Sequence, residues 1–193
     1  MLALTFAIWS HAQPAAAGLF GSSNPPMRKA TELLRRQEAP KVDKSVEALI
    51  DSDNARVVIS ISAQRLQLLA GDQVYIDSPV STGKRAGMTP TGSFKILEKD
   101  LDHRSNIYGS FCDSRNRVVR EGVSLKVDSA PSGTHYVGAP MRFFCRLTDG
   151  GIGMHIGVLP GYPASHGCVR LPAEIAPLIY QKVKVGTSVV ILP

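Results

Sequence analysis

From Arg56 onward the chain keeps returning to short β-branched runs separated by turn residues, and this rhythm restricts it to a sheet protein. Arg56 to Ser62 (RVVISIS) is β-branched and partly alternating, Arg65 to Leu69 and Gln73 to Ser81 continue the pattern, and Ala70-Gly71-Asp72 reads as a turn between them. Further strands are expected at Gly92 to Leu97, Val123 to Val127, Met141 to Leu147, Ile152 to His155 and Thr187 to Leu192, with Asp100 to Arg117 polar and less regular. The 17 Gly and 13 Pro supply the turns and disfavour a helical bundle. One helix is expected at Pro172 to Val183, where Pro172 suits the first turn and Ile175, Leu178 and Ile179 fall near helical spacing; Pro177 would shorten or kink it. The expected class is mostly β (α+β) with one helix near the C-terminus.

The 193 residues are a prior for one domain with a short extra segment. Leu2 to Trp9 is an apolar run, too short to span a bilayer, and Ala15-Ala16-Ala17 follows it. This order resembles a secretory signal peptide over residues 1–17, although no Lys or Arg precedes the apolar run. Residues 18–54 read as an N-terminal arm or linker, with a basic helix expected from Met27 to Glu38, a break at Ala39-Pro40, and a second short helix within Val42 to Ile50. The main domain is expected over residues 55–193.

The formal charge of +6 fits an anionic partner such as a cell-wall polymer or a membrane surface, and fits mere solubility equally well. With 6% aromatic residues and no recognisable nucleic-acid-binding motif, the sequence points away from nucleic acid. Three cysteines, Cys112, Cys145 and Cys168, leave at least one thiol unpaired within the chain. Cys112 and Cys145 are expected to be either bridged or buried, and not catalytic.

Chemistry concentrates in Met154 to Pro172, MHIGVLPGYPASHGCVRLP. A cysteine nucleophile needs a base or a lowered pKa, because the thiolate attacks and the thiol does not. His155 and His166 are the bases at hand. Gly167 before Cys168 permits close approach of a substrate backbone and frees N–H groups for a developing oxyanion. Arg170, two residues beyond Cys168, projects to the same face in extended chain and suits a carboxylate. A zinc set of His155, His166 and Cys168 matches no common zinc spacing.

The stretch SHGCVR, Ser165 to Arg170, resembles the active-site signature of the L,D-transpeptidase (YkuD-type) catalytic domain family. Val57 to Leu69 is similar to that family's opening hairpin, and Ser78 to Gly83 and Thr89 to Phe94 to its next two segments. Met154-His155, Pro160-Gly161 and the closing helix and strand complete the order, so the likeness covers roughly residues 55–193.

The resemblance implies a β-sandwich or mixed-sheet fold and a peptidoglycan L,D-transpeptidase. Its nucleophile would be Cys168, its base His155 with the ring oriented by the Ile156 carbonyl, and His166 the histidine of the Cys motif. Ser165, Gly167 and Arg170 would bind substrate or oxyanion. Only nine residues separate His155 from Ser165, fewer than the family pattern has, which leaves His166 open as the base. No metal or organic cofactor is implied. The partners implied are tetrapeptide stems and an acceptor amine, on another stem or on a wall-linked protein, in the periplasm or cell wall. An L,D-carboxypeptidase on the same fold and a non-catalytic wall-binding protein are the alternatives.

Overall fold

The computed structural model describes residues 37–193. The signal-peptide region and the helix expected from Met27 lie outside the described residues. The alternation noted in the sequence resolves into a six-stranded sheet. Its strands are β1 (Lys41–Val42), β2 (Ala55–Ser60), β3 (Arg65–Ala70), β4 (Gln73–Pro79), β5 (Gly92–Lys95) and β13 (Ser188–Leu192), in the order β1-β4-β3-β2-β13-β5. Strand β13 enters parallel to β2 and antiparallel to β5. Val57, Ile59, Leu66, Leu68, Ile76, Val189 and Ile191 are all buried, because period-two alternation puts them on one face.

A four-stranded sheet supplies the other side of the core, in the order β12 (Val169–Leu171), β11 (Gly153–Ile156), β10 (Phe144–Arg146), β6 (Glu98–Asp100). Its Cys145, Met154, Val169 and Leu171 join the same core cluster as the large sheet. Helix α2 (Ala176–Lys182) adds Ala176 and Ile179, with Ile175 and Val183 buried at its two ends. This helix is shorter than expected. Pro177 lies in its first turn, where a missing N–H costs nothing, and residues 173–175 form a turn ahead of it. Lys99 Nζ donates to the Tyr180 and Val183 carbonyls (2.7 and 2.6 Å), satisfying acceptors that the helix end leaves open.

One expectation changes and another narrows. Asp100 to Arg117 is not irregular: it contains β7 (Arg104–Cys112), the centre of a third sheet ordered β8 (Val118–Ser124), β7, β9 (His135–Pro140). Register shifts on both sides of β7 and its polar residues hide the alternation. Of the two readings for residues 18–54, arm or linker, the described part from residue 37 on packs as an arm. Strand β1 pairs with β4, and α1 (Lys44–Glu47), capped by the Asp43 side chain, brings Val46 into the core, with Ile50 just beyond it.

Candidate active site

The site is built by cross-strand register. Within the four-stranded sheet, Glu98 pairs with Arg146 and Arg146 with Gly153, while Asp100 pairs with Phe144 and His155 with Arg170. Cys168 directly precedes Val169, the partner of Met154, so it stands beside Gly153. Opposed residues share a face. One face therefore carries a row Glu98, Arg146, Gly153, Cys168 and a second row Asp100, Phe144, His155, Arg170; the other carries the core residues. Cys168 and His155 are diagonal neighbours on adjoining parallel strands. A strand spacing of about 4.8 Å and a rise of about 3.3 Å per residue put their Cα atoms roughly 8 Å apart, within reach of a thiol and an imidazole pointing the same way.

The loop carrying Cys168 is fixed by its neighbours. Ser165 Oγ donates to the Cys168 carbonyl (2.5 Å) and accepts from the Gly167 N–H (3.0 Å). Thr89 Oγ1 donates to the Gly167 carbonyl (2.6 Å) and accepts from the Gly83 N–H (2.8 Å). Arg170 and Ser81 exchange both backbone bonds, at 2.9 and 3.1 Å. Gly167 has φ +138, and a Cβ there would stand 2.9 Å from the Met88 carbonyl oxygen, so only glycine fits. The N–H of Gly167 is engaged by Ser165. Among the described residues the N–H groups of His166 and Cys168 donate to no protein acceptor.

The two histidines differ. His155 is buried, and its Nδ1 lies 2.7 Å from the Ile156 carbonyl, which fixes Nδ1 as the N–H donor and leaves Nε2 as the basic nitrogen. Burial lowers its pKa to about 4 against a weaker opposing effect of the Ile156 bond, and Arg170 and His103 push the same way as burial. His166 is exposed. Its Nε2 lies 3.1 Å from Lys84 Nζ, and its ring stacks on Tyr108 at 4.3 Å. Burial, then Lys84 and Arg170, lower its pKa as well.

The Cys168 thiol is half-exposed and donates to the Gly151 carbonyl at 3.7 Å, not to His155. Burial raises its pKa; the Gly153 N–H, Arg170 and Arg146 oppose that rise. The resting couple is thus a thiol beside a neutral imidazole. Arg170 lies over Gly157, where a Cβ would meet its Cγ at 2.6 Å, and donates from Nη1 to the Val158 carbonyl (3.3 Å). A thiol, an imidazole with a free Nε2 and cationic groups suited to carboxylates thus share one face.

The remaining expectations sort cleanly. Cys112 and Cys145 are free and buried, on β7 and β10 of different sheets, so the bridge is not formed and the burial is. Thr89 holds the Cys168 loop through the Gly167 carbonyl. His135, Tyr136 and Arg142 make local contacts with Asn116, the Ser105 carbonyl and Asp102, and Met141 is buried. Sequence reasoning missed Arg146, Lys84, Tyr108 and the His103 ring stacked on Phe144 at 4.2 Å. Among the described residues no three His, Cys, Asp or Glu side chains form a metal-binding group.

A family model described as the L,D-transpeptidase catalytic domain (YkuD) matches residues 54–191. Among solved structures, an L,D-transpeptidase from Mycobacterium smegmatis is similar at 22% identity and a TM-score of 0.54, over 72% of this chain and 59% of that one. An L,D-transpeptidase from Stackebrandtia nassauensis is similar at 18% identity and a TM-score of 0.51, over 78% and 62%. L,D-transpeptidase 3 from Mycobacterium tuberculosis, in complex with a faropenem-derived adduct, is similar at 21% identity and a TM-score of 0.51, over 72% and 60%. The chain therefore spans about three fifths of the length of these structures. No curated protein matches.

Proposed function

The chain belongs to the L,D-transpeptidase catalytic domain family, and from that premise we propose that it is an exported enzyme that exchanges the terminal D-Ala of peptidoglycan tetrapeptide stems for an acceptor amine through a Cys168 thioester. The observation that carries this reading is the placement of Cys168 and His155 on one face of adjoining strands, with His155 Nδ1 committed to the Ile156 carbonyl and Nε2 left basic.

In the first step the proton on Sγ moves to His155 Nε2 while sulfur bonds to the carbonyl carbon joining diaminopimelate to D-Ala. The N–H groups of Cys168 and His166 are the donors left open for the oxyanion. The C–N bond then breaks, His155 returns the proton to the departing amine, and a thioester remains. An acceptor amine attacks the thioester and gives a proton to His155; the C–S bond breaks, and His155 passes that proton to the departing sulfur, restoring the thiol. His166, held between Lys84 and Tyr108, is a substrate-side residue in this scheme, and Ser165 holds the nucleophile loop.

Incubation of the purified protein with disaccharide-tetrapeptide, followed by mass spectrometry, tests the reading. The expected products are free D-Ala and a cross-linked dimer, both absent with Cys168→Ala. D-Ala with only monomeric tripeptide assigns water as the acceptor and an L,D-carboxypeptidase. A folded protein that releases no D-Ala overturns the assignment.

A further inference from the structure

The row Glu98, Arg146, Gly153, Cys168 contains a residue that the scheme above does not use. Arg146 is partly buried, with 24% of its side chain exposed, and its Nε donates to Glu98 Oε2 at 2.5 Å. Its guanidinium lies 5.3 Å from the centroid of the Phe144 ring. These two contacts fix the plane of the fork. Neither Nη group donates to a protein acceptor among the described residues. A guanidinium ordered through Nε with both Nη groups open is the form that receives a carboxylate through two parallel bonds.

Its position joins it to the thiol. Gly153, between Arg146 and Cys168 in the row, places no side chain between them. A Cβ at Gly151 would stand 3.6 Å from Arg146 Nη1, and the Gly151 carbonyl is the group that accepts the Cys168 S–H. Arg146 and the sulfur thus approach the same residue. Arg170 reaches the thiol from a different direction, two residues along the same strand. The carboxylates on this face are already partnered, Glu98 with Arg146 and Asp100 with His103. Glu98 engages only the Nε of Arg146, so both Nη groups stay open for a further carboxylate.

We propose that Arg146 forms a carboxylate-binding subsite beside Cys168, set by Glu98 and Phe144, and that this subsite selects substrates bearing a free carboxylate near the scissile carbonyl. The assignment to the carboxylate of the leaving D-amino acid rests on the proposed function. The subsite itself does not.

The test therefore needs no turnover. Cys168 is alkylated with iodoacetate and, separately, with iodoacetamide; in each the S–C bond forms, the C–I bond breaks and iodide leaves. The two reagents differ in carboxylate against carboxamide. Peptide mass mapping restricts the rates to Cys168. The ratio of iodoacetate to iodoacetamide rates is expected to exceed that of a small free thiol at the same thiolate fraction, and to fall roughly tenfold in Arg146→Gln, the cost of about one charge-assisted hydrogen bond. The iodoacetamide rate alone should change far less. Arg146→Lys should keep part of the preference, and it serves if the Gln variant does not fold. A wild-type ratio no higher than that of the free thiol overturns the proposal without any variant. So does a ratio that survives Arg146→Gln and collapses only in Arg170→Gln. Failure of the D-Ala assay alongside a normal Arg146-dependent ratio would strike the proposed reaction and leave the subsite standing.

Discussion

The two faces of the four-stranded sheet carry two thiols in different surroundings. Cys145 on β10 points into the core, where burial pushes its pKa up to about 12 despite the nearby Lys99. Cys168, one residue before β12, lies on the other face, where burial also raises its pKa but the Gly153 N–H and two arginines act against that rise. The sheet, the backbone pairing and the side-chain chemistry are shared. The difference is the parity of position along a strand. A side-chain period of two makes the choice between core filler and reactive group absolute, since a slip of one residue exchanges the faces.

The comparison breaks most readily at the level of covalent chemistry. Iodoacetamide on the folded protein is expected to add one mass adduct to the wild type, none to Cys168→Ala, and one to Cys145→Ala, a difference between full labelling and none by intact-protein mass spectrometry. Labelling of Cys168→Ala would show that the core-face thiol is reachable after all.

A pH effect of middle size sharpens it. His155 has a pKa lowered to about 4 in the folded protein against 6.5 ordinarily. Between those values the unfolded chain binds the extra proton, so this group's contribution to stability is complete above pH 6.5 and is lost as pH falls toward 4. The loss is on the order of 3 kcal/mol. Urea unfolding at pH 7 and pH 4 should show a smaller decline for His155→Asn than for the wild type; equal declines would mean that the ring is already charged or already solvated.

The smallest effect concerns packing. Cys145→Ala removes one buried sulfur and should cost about 1 kcal/mol in urea unfolding, while Cys168→Ala at a half-exposed site should cost less. A reversed order would contradict the division of the two faces.

Much of this was legible in the sequence where local pattern decides structure. Strands β2, β3, β4 and β13 fall close to their expected limits because Val, Ile and Leu alternate there over turns rich in glycine. The Ser165 to Arg170 motif marked the nucleophile loop because its chemistry is contiguous. Strand β7 escaped because bulges interrupt its alternation. Strand β9 escaped because Gly138 presses against the Ser105 carbonyl, where a Cβ would come within 2.1 Å, a demand set by a partner strand and invisible locally. Arg146 was illegible for a deeper reason. Its place near sulfur depends on the register of four strands drawn from residues 98, 146, 153 and 168. The preference for His155 over His166 came from the family likeness; what the register adds is that the His155 ring is buried and held by the Ile156 carbonyl.

Strand β13 has a consequence for how the molecule assembles. It is an inner strand, flanked by β2 on one side and β5 on the other, although β2 lies at the opposite end of the domain's sequence. Loop-closure entropy must be met before such a distant pairing returns any stability, so folding is expected to be slow for the domain's size. Until β13 arrives, β2 and β5 both present open edges with unpaired N–H and C=O groups. A chain shortened by residues 188–193 would keep those edges permanently, with Val57 and Ile59 beside them, and is expected to self-associate through strand addition rather than persist as a weakened monomer.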